Sequence, residues 1–479
     1  MKKISLFLFI SVLSLVYIYY NSMDKSKFKS VIIITIDTLR ADHLSCYGYK
    51  TKTTPYIDDF AQKGVLFKWA FSASAQTAPS HVSIFTGKYP GFHSVGTENF
   101  TYKLSLKALT LAELCVNKGM KTAAIVSNPV LDISLGLNQG FNSYDDSFNQ
   151  KELNRKRFEQ TAEIAVDKAI SKLENFKKER FFLWLHLQDP HGPYLAPKQV
   201  LKSPSHSFGE KSHKIALPFS NNQFGYREIP LYQKYKSEHN LYQYIARYDN
   251  EIAYMDQQLN RLFLYIKKNN LDKDTLVVIT ADHGEALGED SIYFAHGHSV
   301  GIDQVRVPLI FVGNGIKKNI IIDDFSVSNI DIFSTIKELL GIEVSKKSQS
   351  TSLVDILTGD SLKKEYPIYF ESESQRGIIL GSSYLRRDRK VLEKGDVILS
   401  KNRTDKPWKN GKIFLSFDEQ YLQLFKRRKI PPQKMQILLN RFCYNSIKAF
   451  KKKIKTKRNE KNIIKKESFK KLKTLGYLN

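Results

Sequence analysis

Three short hydrophobic runs in this chain each end in an acidic residue. They are VIIITID ending at Asp37, FFLWLHLQD ending at Asp189, and TLVVITADH ending at Asp282 and His283. Apolar runs of this length, rich in β-branched residues and followed at once by polar ones, read as parallel strands buried on both faces. The C-terminal ends of such strands open onto the crevice where ligands bind. Any one strand-ending Asp also suits a turn or a helix N-cap. Three together with an imidazole call for a cation, because an unpartnered buried carboxylate is costly and Asp with His makes a mixed oxygen and nitrogen ligand set. The expectation is a metal site on an α/β sheet.

A second signal lies in SASAQTAPSHVSIFTGKYP, from Ser72 to Pro90. Pro79 suits the first turn of a helix, Thr77 its N-cap, His81 to Phe85 its continuation and Gly87 its stop. A hydroxyl at Thr77 would sit at the positive end of that helix, where backbone N–H groups face an incoming anion and the dipole favours negative charge. Thr77 is therefore read either as a simple cap or as an activated nucleophile.

The rest of the chain alternates strand and helix patterns. Pro55 to Gly64, Thr110 to Gly119, Lys156 to Phe176, Leu241 to Lys267 and Ile330 to Gly341 read as helices, and TAAIVS from Thr122 and VPLIFVG from Val307 as further strands. This predicts a mainly parallel sheet sandwiched by helices over 31–358. The aromatic and polar segment from Ser203 to Tyr235 has neither period and reads as a loop shaping the substrate pocket. Over 359–430, PIYFESES, GIILGSSYLRRDR and KIFLSFDE predict a small antiparallel subdomain, and 431–479 a basic helical tail.

At 479 residues, 42% of them hydrophobic, the chain has ample core for one large domain with an appendage. Residues 1–30 stand apart: Lys2 and Lys3 precede the apolar run ISLFLFISVLSLVYIYY, and no small-x-small cleavage site follows. The expectation is an uncleaved signal anchor with the catalytic domain outside the cytoplasm; cleavage of the leader would make a secreted protein. Cys46, Cys115 and Cys443 provide neither a disulfide framework nor zinc-ligand spacing. The net charge of +26 is concentrated near the C-terminus, as a solvated basic helix or as an attraction to anionic lipid head groups. No stacking motif, zinc module or recognition helix supports nucleic-acid binding.

In series, DTLRADHLSCYGY, TPYIDDFAQKGVLF, TAPSHVSIFTGKYP, HLQDPHGPY, YDNEIAYMDQQL, TADHGEALGE and HGHSVGIDQVRVPLIF resemble the motifs of the sulfatase family of the alkaline phosphatase superfamily, in the family's order. The resemblance implies an alkaline-phosphatase-like fold, with a metal bound by Asp37, Asp282 and His283 and with Thr77 as metal-held nucleophile. It places His81, His191 and His296 around the ester, with Lys88 and His298 as substrate contacts. Asp189 with His191 and His296 would form a second metal site. His186, alternating with apolar residues on its strand, is as well explained as a packed core histidine.

The departures are as informative. Sulfatases carry Cys or Ser followed by x-Pro-Ser-Arg, and the first residue is oxidised to formylglycine; here Thr77 and His81 occupy the end positions. Oxidising a threonine would yield a ketone, so that maturation is not expected. Thr38 and His283 replace an acidic and an amide ligand, shifting the expected metal toward zinc, with manganese or calcium next. The resulting expectation is a metal-dependent hydrolase or transferase of a phosphate or sulfate ester. Its anionic substrate would be a surface glycan or lipid head group. The alternatives are a true sulfuric ester hydrolase working without formylglycine, and a non-catalytic envelope binding protein retaining the fold.

Removing residues 1–28 should release the protein from the membrane fraction with its core intact, since the first core strand is predicted from Val31. N-terminal sequencing of the full-length product checks this; a mature terminus between Asn21 and Ser30 would identify a cleaved, secreted form.

Overall fold

The computed structural model describes residues 27–96, 103–151, 154, 158–176, 179–197, 200, 215–345, 348–359, 365–372, 374–381, 383–388 and 432–457. The apolar leader, residues 458–479 of the basic tail and KIFLSFDE lie outside them. Among the described residues no helix is long and apolar enough to cross a membrane.

The three acid-ended runs form the centre of an eight-stranded sheet. The strands are β1 (Ser30–Ile36), β2 (Gly64–Phe67), β3 (Lys121–Ile125), β4 (Ser143–Asp145), β5 (Phe181–Leu187), β6 (Thr275–Ala281), β7 (Leu309–Val312) and β8 (Ile320–Ile322), in the spatial order β8-β2-β7-β6-β1-β5-β3-β4. β1 lies between β6 and β5, parallel to both. All three are wholly buried, as their unbroken apolar sequences require. The sheet is mixed: β7 runs antiparallel to β6 and β2, and β2 begins at Gly64, where the sequence predicts the end of a helix and no strand. Gly64 permits the β2–β7 approach, since a Cβ there would stand 2.0 Å from the Phe311 carbonyl oxygen.

Helices cover both faces. One layer comprises α1 (Pro55–Ala61), α4 (Ala162–Phe176) and the long α5 (Leu241–Lys268), which touches both; the other comprises α2 (Thr77–Thr86), α3 (Leu111–Asn117) and α6 (Asp331–Leu339). Thr110 and Glu113 close a reciprocal capping box at the start of α3. Residues four apart on α2 share a face, so His81 and Phe85 both lie on Trp184 of β5, at ring distances of 5.3 and 4.5 Å. Thr77 is one turn further along the same face.

The predicted antiparallel sheet is present as β9 (Ile368–Glu371), β10 (Gln375–Leu380) and β11 (Ser383–Asp388). Helix α7 (Pro432–Lys457) lays Met435, Leu439, Phe442 and Cys443 into a cluster with Tyr89, Ile378 and Leu385. This layer reaches the main domain just before α2, where the Ala75 N–H donates to the Glu371 carbonyl at 3.1 Å.

Asp256 of α5 caps α1 from outside, accepting from the N–H groups of Tyr56 (3.0 Å) and Ile57 (2.8 Å). Burial, only partly offset by those bonds, raises its carboxyl to about 7. Because the folded value exceeds the unfolded one, the chain binds more protons when folded, and this contribution fades as pH rises from about 4 to about 7. Asp256→Asn should therefore gain stability over wild type across that window, by about 2–4 kcal/mol at pH 7.5, and show little gain at pH 4. Denaturant unfolding at both pH values checks this; a constant difference would refute it.

Candidate active site

The register of the central strands brings the site together. Ile36 of β1 pairs with Ala281 of β6 and with Leu187 of β5, so the residues that follow, Asp37 and Asp282, emerge side by side. Both are completely buried. Asp37 Oδ2 accepts from Asn128 Nδ2 at 2.7 Å, and Asp282 Oδ1 accepts from the N–H groups of His283 (2.8 Å) and Thr38 (3.2 Å). Thr38 reaches this position by adopting a φ of 57°, a left-handed conformation that a β-branched residue rarely takes. Tyr248 supports the bend, its hydroxyl donating to the Thr38 carbonyl at 2.7 Å.

The other two oxygens, Asp37 Oδ1 and Asp282 Oδ2, are buried and accept no hydrogen bond from any described residue. His283 faces them. Its Nδ1–H donates to the Gly284 carbonyl at 2.9 Å, which fixes the tautomer and leaves the Nε2 lone pair pointing inward. Nε2 lies 3.4 Å from Asp282 Oδ2, 3.9 Å from Asp37 Oδ1 and 3.2 Å from Thr77 Oγ1. Burial, then neighbouring His296, push His283 down to about 3, so the ring is neutral. Burial raises the Asp37 carboxyl, but the neighbouring His191 and His186 outweigh it and hold Asp37 well below the usual range. Burial, and then repulsion from Asp37, push Asp282 well above that range.

One ligand atom from each of Asp37, Asp282 and His283 falls within 4.8 Å of the others. Two unpaired buried carboxylate oxygens and an inward lone pair fit a divalent cation. His81, His186 and Asp282 meet the same distance test, but His81 is otherwise engaged. Its Nδ1–H donates to the Thr77 carbonyl (2.8 Å), and its Nε2 accepts from the Thr35 hydroxyl (3.0 Å), whose oxygen in turn accepts from Trp184 Nε1 (2.9 Å). His186, in register with Thr35, stays beneath the cluster with Nε2 3.6 Å from Asp37 Oδ2.

Thr77 is the first helical residue of α2, and Gln76, extended at φ −135°, takes the N-cap position expected for Thr77. The Thr77 hydroxyl is thus spent on no cap and turns to His283. Beside His283 stands His296, their rings 4.4 Å apart, and His191 lies beyond it, 5.2 Å from the His296 ring. His191 Nδ1 donates to the Gly192 carbonyl at 2.7 Å, and His296 Nδ1 to Glu285 Oε1 at 3.0 Å. Glu285 is fully buried and also accepts from the Tyr194 hydroxyl at 3.1 Å.

Two expectations need correction. Asp189 does not join the cluster: it follows one residue after Gln188, the register neighbour of Asp37, and its carboxylate accepts from the Ala162 N–H at 2.6 Å and bonds to Glu251. A second metal site built from Asp189, His191 and His296 is therefore not formed. Lys88 is exposed beyond the far end of α2, about 15 Å of helix away from Thr77. His298 packs edge-on against Phe224, at 4.0 Å. Asn128, Glu285 and Tyr194 were not anticipated. Glu285 stands two residues after His283, in the run TADHGE, and Asn128 at a predicted strand end; those positions were the available signals.

The sulfatase family profile matches residues 29–342. The chain belongs to the sulfatase family. With it come the ester hydrolases of the alkaline phosphatase superfamily, enzymes that depend on a divalent metal, typically calcium. A Delta 4,5-hexuronate-2-O-sulfatase from Bacteroides thetaiotaomicron is 25% identical over 367 residues, covering 71% of this chain and 74% of its own. Among solved structures, a 2-O GAG sulfatase superposes with a TM-score of 0.64 at 19% identity, over 91% of this chain and 94% of its own. The phosphonate monoester hydrolase of Agrobacterium radiobacter superposes at 0.57 and 18% identity, over 75% and 87%. These two likenesses establish the fold.

Proposed function

We propose that this sulfatase-family chain cleaves an anionic sulfate or phosphate monoester by nucleophilic attack of Thr77. The observation that carries the reading is the Thr77 hydroxyl at the N-terminus of α2, 3.2 Å from His283 Nε2 and free of any capping duty. A divalent metal held by Asp37, Asp282 and His283 would neutralise charge on the ester oxygens and make the Thr77 hydroxyl more acidic. The imidazole of His283 supports zinc over calcium, which prefers an all-oxygen set.

In the reaction, the Thr77 hydroxyl gives up its proton to solvent, and Oγ1 forms a bond to sulfur or phosphorus as the bond to the alcohol oxygen breaks. The departing alkoxide takes a proton from His191 or His296, the latter oriented by Glu285 and Tyr194. Water then attacks the Thr77 ester and restores the hydroxyl; an acceptor alcohol in its place would make the enzyme a transferase. His81 acts as a positioning residue, tying the Thr77 carbonyl to Thr35 and Trp184 in the sheet. Anchored by residues 4–20 outside the cytoplasm, such an enzyme would meet ester-bearing surface glycans or lipid head groups.

Thr77→Ala should lower kcat on 4-nitrophenyl sulfate and phosphate by at least about 10³-fold with the melting curve unchanged. Thr77→Ser should stay within about tenfold of wild type, since a primary hydroxyl still attacks. Peptide mass spectrometry of quenched wild-type reactions should find the sulfuryl or phosphoryl group on Thr77. Full activity in Thr77→Ala would refute the mechanism.

A further inference from the structure

The turn between β9 and β10 touches two separate segments that carry reacting groups. On one side lies the segment leading into α2. Glu371, the last residue of β9, donates its N–H to the Ala73 carbonyl at 3.0 Å and accepts from the Ala75 N–H at 3.1 Å, two residues before Thr77. Its carboxylate accepts from the Gly91 N–H at 3.2 Å and from Arg376 Nε at 2.9 Å. Both members of that ion pair are buried, so the hairpin is held at a defined place: removing either partner would leave a bare charge in the interior.

On the other side lies the segment that follows His296. The Ser372 hydroxyl donates to the His298 carbonyl at 3.0 Å, and the Ser374 hydroxyl bonds the same oxygen. Gln375 Oε1 accepts from the Ser299 hydroxyl and from the Val300 N–H, both at 3.2 Å. A backbone N–H can only donate, which fixes the orientation of the Gln375 amide. The turn itself is closed by the Ser372 N–H on the Gln375 carbonyl and the Gln375 N–H on Ser372 Oγ, each at 2.9 Å. The two segments meet at Gly297, where a Cβ would lie 3.2 Å from Cγ of Gln76, the residue before Thr77.

We propose that this turn sets the spacing between the Thr77 and His296 segments, with Gln375 as the positioning residue on the His296 side. The proposal rests on the reading of His296 as a proton donor to the leaving alcohol. Glu285 fixes the rotation of the His296 ring through Nδ1, and the bonds to His298 and Val300 fix the backbone that carries it. Val300 is wholly buried, so its N–H has no water to turn to once Gln375 is gone, and the segment must shift to find another acceptor. A displaced His296 slows the departure of an alkoxide, which needs a proton as its bond breaks. Departure of 4-nitrophenolate, a stable anion, is far less affected.

Turnover of butyl and 4-nitrophenyl esters of sulfate and phosphate tests this. Gln375→Leu should lower kcat on the butyl esters at least about tenfold more than on the 4-nitrophenyl esters, with KM changed little for both. Gln375→Glu keeps an oxygen to accept both bonds and should restore the wild-type ratio. Amide hydrogen exchange over residues 294–301 should be about tenfold faster in Gln375→Leu and stay at the wild-type rate in Gln375→Glu. An equal loss on both esters, a loss that Gln375→Glu shares, or wild-type exchange in Gln375→Leu overturns the proposal. His296→Ala separates it from the reading beneath it. No leaving-group difference in that variant overturns His296 as the acid, and the exchange result alone then decides whether the turn holds the segment.

Discussion

Two carboxylates, Asp37 and Asp282, are buried side by side at the ends of adjacent parallel strands, each with one oxygen that no described residue satisfies. In a low-dielectric interior such a pair repels strongly, and its two protonation equilibria are driven apart, Asp37 downward and Asp282 upward. Much of the surrounding structure serves to hold them in place regardless. Asn128 and the Thr38 and His283 N–H groups take the outer oxygens, and the left-handed turn at Thr38 is braced by Tyr248. Strain of this kind, on the order of 1–3 kcal/mol, persists only where the surroundings enforce it. A cation between the inner oxygens would convert the repulsion into attraction.

The position of Thr77 depends on the same arrangement. Helix α2 is seated on Trp184 through His81 and Phe85, and His81 joins the Thr77 carbonyl to the strand that ends in Asp37. The nucleophile candidate and the acidic pair are thus referenced to one strand. The small C-terminal sheet holds the segment leading into α2 from the other side, through Glu371 and Ala75. Three histidines keep fixed tautomers because each donates Nδ1–H to a neighbour, Gly284 for His283, Gly192 for His191 and Glu285 for His296.

How much of this was legible in the sequence followed from the range of the interactions. The buried strands, Asp37, Asp282 and His283 showed as local patterns, because a strand buried on both faces must be apolar throughout and must end where the polar residues begin. β2, only four residues long, and the reversed direction of β7 carried no such pattern, since strand direction is settled by distant pairing. Asp189 looked equivalent to the other two acids, but one residue of register sent it to α4 and Glu251. Lys88 belonged to the right motif and the wrong end of a helix. Asn128, Glu285 and Tyr194 act through contacts between separate segments of the chain, so only their places beside a strand end or a motif could have marked them. The resemblance to sulfatases identified the family and the identity of the acidic cluster; it did not reveal that His81 would face the sheet.

The central claim is that Asp37, Asp282 and His283 share one cation. Crystals of the protein purified without added metal, measured on both sides of the zinc absorption edge, test it most directly. The account predicts an anomalous peak between these three side chains, adjacent to Thr77, that disappears in Asp282→Asn crystals of the same form. A wild-type map with no peak there and Asp282 bonded directly to Asp37 through a proton would contradict it.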